Sequence, residues 1–176
     1  KVIAVGKQGY QKGYDSLLRA WQLVVAKQPD WQLEIYGKFE PQEKLNELAH
    51  SLKIDNNVTF FPPAKNIEEK YLEASIYVMS SRYEGFGMVL IEAMACGVPC
   101  VAFDCPHGPA DIITHKKDGL LVSNGDINQL AKALIDLMEN EAMRQQMGSK
   151  AKENVTRFLP EQIMTLWDDL FKNLSK

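Results

Sequence analysis

The strongest constraint on this chain is an alternation. Short runs rich in β-branched and apolar residues fall at Lys1 to Gly6, Trp31 to Tyr36, Asn57 to Phe61, Ile76 to Ser80, Pro99 to Phe103 and Leu120 to Ser123. Runs of this length and composition predict strands. Between them lie helical patterns. Roughly Asp15 to Lys27 places Leu17, Leu18, Trp21, Val24 and Val25 on one face, with Asp15 as a cap for the free N–H groups and Pro29 as a stop. Further helices are expected over roughly Gln42 to Leu52, Ile67 to Ala74 and Gly87 to Cys96, the last ended by Gly97 and Pro99.

Strand–helix alternation with short connections predicts an α/β fold, a Rossmann-like parallel sheet of about six strands with helices on both faces. The runs Ile76 to Met79 and Val98 to Ala102 lack polar alternation, as strands covered on both faces do. The tail then changes character. Ile127 to Asn140, Glu141 to Val155 and Pro160 to Leu174 read as consecutive helices with no further strand, Asp126 capping the first. Ile163, Leu166, Trp167, Leu170 and Phe171 form an apolar stripe on the last helix, to be covered by this domain or by another.

At 176 residues and 45% hydrophobic content the chain is expected to form one domain. Its first residue is Lys1, running straight into an apolar strand, which reads as a piece of a longer protein. The net charge of -3 is interspersed, which gives no footprint for nucleic acid. The apolar runs fall well short of the roughly 20 residues that cross a bilayer, and no leader pattern is present. Cys96, Cys100 and Cys105 match no zinc or redox spacing and read as small buried hydrophobes, so a reducing cytoplasm is expected.

In an open parallel sheet, ligands gather beyond the carboxyl ends of the strands at the topological switch point. Two loops are placed for that role, Gly6 to Gly13 after the first strand and Ser80 to Gly87 after the fourth. The helix from Gly87 to Cys96 is apolar or small at every position except Glu92. Helices that are hydrophobic all round are buried, and a lone carboxylate in one needs a partner: a Lys or Arg of the protein, or the two hydroxyls of a ligand diol. Gly85 and Gly87 let backbone approach a ligand and leave the first helical N–H groups open to phosphate. Glu84, just outside, could accept from sugar hydroxyls or serve as a helix-dipole partner. Lys7 and Lys12 stand beside glycines where they could neutralise a diphosphate. The glycine spacing is neither a dinucleotide fingerprint nor a Gly-Lys-Ser/Thr phosphate loop.

Gly6-Lys7 with Gln11-Lys12-Gly13, Ser81-Arg82-Tyr83-Glu84-Gly85-Phe86-Gly87, Glu92-Ala93-Met94-Ala95-Cys96-Gly97-Val98-Pro99 and Asp118-Gly119-Leu120-Leu121-Val122 together resemble the family 4 glycosyltransferases, in the family's order and over nearly the whole chain. The resemblance implies that residues 1–176 are the C-terminal, donor-binding half of a GT-B architecture whose N-terminal acceptor domain is absent. By likeness Glu84 is catalytic, contacting the transferred sugar near its reacting carbon. Gly85, Phe86 and Gly87 would hold that sugar, Lys7, Lys12 and the backbone of Met88 and Val89 the diphosphate, and Glu92 the ribose. Lys7 stands where the family usually has Arg, which keeps the charge and loses the bidentate fork. The base is expected near Gly37 and the Phe61-Pro62-Pro63 turn, and His107 in Cys105-Pro106-His107-Gly108-Pro109 either nears the acceptor or is merely solvated.

The implied activity is retaining transfer of a hexose from a nucleoside diphosphate sugar, UDP-linked by family frequency, to a carbohydrate acceptor such as a surface polysaccharide or lipopolysaccharide precursor. No metal or other cofactor is expected, and the full-length enzyme could sit at the inner face of a membrane. The rivals are a nucleotide-sugar epimerase of the same architecture and a non-catalytic nucleotide-binding or receiver-like domain.

Overall fold

A computed structural model describes residues 1–175. Strands β1 (Val2–Val5), β2 (Leu33–Tyr36), β3 (Val58–Phe61), β4 (Ile76–Met79), β5 (Cys100–Asp104) and β6 (Gly119–Ser123) form one parallel sheet in the order β3-β2-β1-β4-β5-β6. This is the doubly wound arrangement, in which strand order reverses between β1 and β4. A receiver-like sheet follows a different order, so the topology decides against the receiver-like form of that rival, while a non-catalytic nucleotide-binding domain shares this sheet.

Alternate residues of each strand feed opposite faces. Val2, Ala4, Leu33, Ile35, Val78, Val101 and Phe103 pack beneath α1 (Tyr14–Val25), α2 (Leu45–Ser51) and α6 (Ile127–Glu139), where Leu17, Leu18, Trp21, Leu130 and Leu134 complete the core. On the other face Ile3, Tyr77, Met79, Cys100 and Ala102 meet α3 (Ile67–Leu72), α4 (Met88–Ala95) and α5 (Pro109–Ile112). The chain then runs through α7 (Glu141–Asn154), which crosses α4 so closely that a Cβ at Gly148 would lie 2.1 Å from the Gly97 carbonyl oxygen.

Several local expectations need correction. Asp15 does not cap α1: Gly13 holds the N-cap position with no side-chain bond, so Asp15 falls within the first turn, where its carboxylate is bound by Arg82. The expected helix from Gln42 to Leu52 is split, because Lys44 adopts φ +49° between a 3-10 turn at Pro41–Glu43 and α2. α5 was not expected at all. Asp126 does cap α6, accepting from the Gln129 N–H.

The last helix, α8 (Pro160–Leu174), has no buried residue. Leu166, Trp167, Leu170 and Phe171 are all exposed, Trp167 stacking on Phe171 one turn later. Of the stripe, Ile163 is half-buried near the start of the helix, and from Leu166 onward it does not cover this domain.

Candidate functional site

The reversal of strand order at β1 and β4 brings the two expected loops together. They are stitched by backbone and side-chain bonds: the Arg82 N–H donates to the Gln11 carbonyl (2.8 Å), Gln11 Nε2 to the Tyr83 carbonyl (3.1 Å) and Ser80 Oγ to the Lys12 carbonyl (2.8 Å). Arg82 reaches across to Asp15 (2.7 and 2.9 Å) and lies over the Tyr10 ring, 4.1 Å from its centroid. Burial alone would raise the Asp15 carboxyl; the Arg82 bonds outweigh it and hold it below the usual range. Gly13 is demanded here, since its φ is +61° and a Cβ would sit 2.2 Å from the Ser80 carbonyl oxygen.

Within this clasp Lys12 Nζ donates to Glu84 Oε1 at 2.7 Å, and Ser81 Oγ donates to the same oxygen. Both charged side chains are withdrawn from water, Lys12 to 16% exposure and Glu84 to 8%. Gly6 makes room: a Cβ there would meet the Lys12 chain at 2.6 Å. The Glu84 loop is braced from the other side, its N–H donating to the Pro106 carbonyl (3.3 Å), while Gly108 packs directly against the Phe86 backbone. Gly85 and Phe86 lie exposed at the loop crest.

Gly87, at φ +97°, turns the chain into α4 and has no side chain to cap it. The first bond of that turn runs from the Leu90 N–H to the Gly87 carbonyl, so among the described residues the Met88 and Val89 N–H groups have no protein acceptor. Such an end carries partial positive charge and suits an anion.

Glu92 corrects the sequence reading. Leu90, Ala93 and Met94 bury one face of α4 on the sheet, but Met88, Glu92 and Ala95 are exposed on the other. A helix apolar all round is here covered on one side only, so Glu92 bears no burial penalty demanding a cation. Its partner among the described residues is the hydroxyl of Tyr71, at 3.1 Å from Oε2.

Lys7 does not join Lys12. Its side chain is 63% exposed and pairs with Glu40 at 2.9 Å. It borders a crevice of about 290 Å³ lined by Gly6, Tyr36, Gly37, Pro63, Ala64 and Ile67, at the ends of β1 to β3. Gln8, missed in the sequence, is 2% exposed and ties together the ends of β2 and β3 by donating to the carbonyls of Gly37 (3.2 Å) and Phe61 (3.4 Å). His107 is exposed beside the Glu84 loop at φ +63°. Cys105, behind Glu84, has its thiol pushed up to about 11 by burial and secondarily by the Glu84 charge, which leaves it a neutral, inert hydrophobe.

The family model described as "Glycosyl transferases group 1" matches residues 1–154. This chain belongs to the group 1 glycosyl transferases. Among curated proteins, an uncharacterized glycosyltransferase of Haemophilus influenzae is 37% identical over 166 residues, 94% of this chain and 47% of its own length. The poly(ribitol-phosphate) alpha-N-acetylglucosaminyltransferase of Staphylococcus aureus is 34% identical over 92% of this chain and 33% of its own. Among solved structures, a mutant of S. aureus TarM in complex with fondaparinux, alpha-GlcNAc-glycerol and UDP superposes with a TM-score of 0.90 at 31% identity, over 97% of this chain and 35% of that one. This group 1 glycosyl transferase chain thus spans about half, or less, of the length of the relatives it matches, and its structural neighbours are GT-B glycosyltransferases.

Proposed function

We propose that the chain is the donor-binding half of a retaining, family 4 glycosyltransferase, moving a hexose from a nucleoside diphosphate sugar, UDP-linked, to a carbohydrate acceptor of a surface polysaccharide or lipopolysaccharide. The carrying observation is the meeting, at the strand-order reversal, of the Lys12–Glu84 pair with the open start of α4 and Glu92 one turn further on. UDP in the TarM complex and the polymer-directed names of relatives support the substrate class.

The chemistry follows from charge. Departure of the diphosphate develops negative charge on its oxygens, and Lys12 with the Met88 and Val89 N–H groups is set to meet it. Three donors on one ammonium let Lys12 keep Glu84 and take a phosphate oxygen together. Glu84 then faces the positive charge growing on the sugar carbon, while Gly85 to Gly87 admit the sugar against bare backbone. Groups held in place before the reaction lower the barrier without reorganising. The acceptor hydroxyl attacks from the departing face and passes its proton to the leaving phosphate, which preserves the anomeric configuration, and no resident metal takes part. Lys7 would add to the phosphate field only by leaving Glu40.

Titrating the chain with UDP, GDP and ADP should show weak binding, strongest for UDP, and Glu92→Ala should lower UDP affinity by about ten-fold, the value of hydrogen bonds to a charged group. Binding of none of the three, or equal UDP affinity in Glu92→Ala, would sink the donor-site assignment.

The acceptor groups and the cover for α8 belong, in this reading, to an N-terminal domain. Trp167→Ser with Phe171→Ser should then leave the unfolding free energy of this chain within about 0.5 kcal/mol, as exposed substitutions do, yet destabilise the full-length protein measurably. Equal effects in both would mean that the stripe stays bare.

A further inference from the structure

We propose that Tyr71 is a positioning residue for Glu92, holding one carboxylate oxygen so that the other meets the hydroxyls of a nucleoside diphosphate ribose; this rests on the ribose role given to Glu92 above. An exposed glutamate on a helix samples many rotamers, and fixing it costs side-chain entropy. Glu92 is such a residue, and its Oε2 is held by Tyr71 at 3.1 Å while Oε1 has no hydrogen-bond partner among the described residues. The holder is itself rigid. Tyr71 is 1% exposed, and its ring meets Tyr77 edge-on, centroids 5.9 Å apart and planes at 72°.

The two side chains arrive from different elements, α3 and α4, and together wall a groove of about 390 Å³ with Ile67, Leu72, Ala95 and Cys96. Ile67 also lines the crevice at the ends of β1 to β3 described above, so the groove and the crevice adjoin at that residue. Burial, and next the Glu92 charge, push the Tyr71 phenol far above its ordinary value, so it remains an O–H donor and Glu92 remains the acceptor. A neutral donor serves this purpose better than a cation. A Lys or Arg would compete with the ligand for both oxygens, whereas one phenol can satisfy only one lone pair.

The test compares UDP with 2′-deoxy-UDP on the chain itself, by calorimetry or NMR titration. UDP should bind about ten-fold more tightly, a ratio set by one hydrogen bond to a charged group. In Tyr71→Phe the ratio should fall to about two-fold with 2′-deoxy-UDP affinity unchanged, because packing is kept and only the hold on Glu92 is lost. A merely structural Tyr71 would weaken both nucleotides equally, and an unchanged ratio overturns the proposal. Glu92→Ala separates the two levels. If it abolishes the ratio while Tyr71→Phe does not, only the positioning role fails; if it leaves the ratio intact, the ribose reading fails with it. Should Tyr71→Phe not fold, the Tyr71 Cζ resonance of the unaltered chain decides: a larger shift at saturation with UDP than with 2′-deoxy-UDP supports the proposal, and equal shifts overturn it.

Discussion

A Lys12→Met chain should unfold roughly 2–3 kcal/mol more easily than the parent, because Glu84 is left charged, nearly shut off from water and bonded only by Ser81. The figure sits below the full cost of orphaning a buried ion because Lys12 itself keeps 16% of its exposure, so part of the pair is already solvated. The loss should be most evident in urea, as a shifted midpoint with an unchanged slope. Glu84→Gln is expected to be milder, since a lysine stem can carry its ammonium out to water. Combining Lys12→Met with Glu84→Gln should recover most of the stability, as contacting pairs do not add. Affinity for UDP should not recover: both Lys12→Met and the double variant should bind it at least about ten-fold more weakly, having lost a charge-assisted bond to phosphate. The two readouts thus part company. If Lys12→Met is as stable as the parent, the pair is solvated and not part of the framework; if the double variant binds UDP normally, Lys12 has no part in holding phosphate.

The second large effect is expected at Gly108. Its φ of +101° is a conformation other residues avoid, and a Cβ would stand 1.8 Å from the Phe86 carbonyl oxygen and 2.5 Å from its carbon. Backbone cannot swing aside as a flexible side chain can. Strain and overpacking together predict a loss of about 3 kcal/mol or more for Gly108→Ala. Gly125 is the control: its φ is +79° but nothing lies within 4 Å, so Gly125→Ala should cost only about 1 kcal/mol. The excess measures the loop contact. Since Phe86 lies between Glu84 and the start of α4, the Gly108→Ala chain should also lose UDP binding under conditions where it is still folded. A cost no greater than that of Gly125→Ala would show that the Phe86 loop yields, and with it the notion of a preformed crest.

Much of the fold was legible because its signals are local. Strand and helix periods, the Asp126 cap and the stop at Gly97 all sit within a few residues of what they control. Reading failed where a distant group won. Asp15 looks like a cap, but the left-handed Gly13, which packs against the distant Ser80 carbonyl, starts the helix before it, and Arg82, 67 residues away, holds its carboxylate. Gln42 to Leu52 looks like one helix because nothing in its side chains announces the positive φ at Lys44. Glu92 looks buried because a uniformly apolar helix is ordinarily covered all round, whereas one side of α4 is open. Tyr71, Gln8 and Arg82 stand beside the candidate site through partners distant in sequence. None carries a pattern of its own that marks it out.

The sequence by itself determined which elements form, which faces are apolar, and that glycines and charges cluster after the first and fourth strands. Those properties are encoded at separations of two to four residues, the periods of strand and helix. Only the tertiary structure decided which charges meet. Lys12 and Glu84 are 72 residues apart, and they pair because β1 and β4 are neighbours in the sheet and both loops leave the same edge. It also decided that Lys7 goes to Glu40 instead, since strand order, not spacing along the chain, sets which loop each lysine faces.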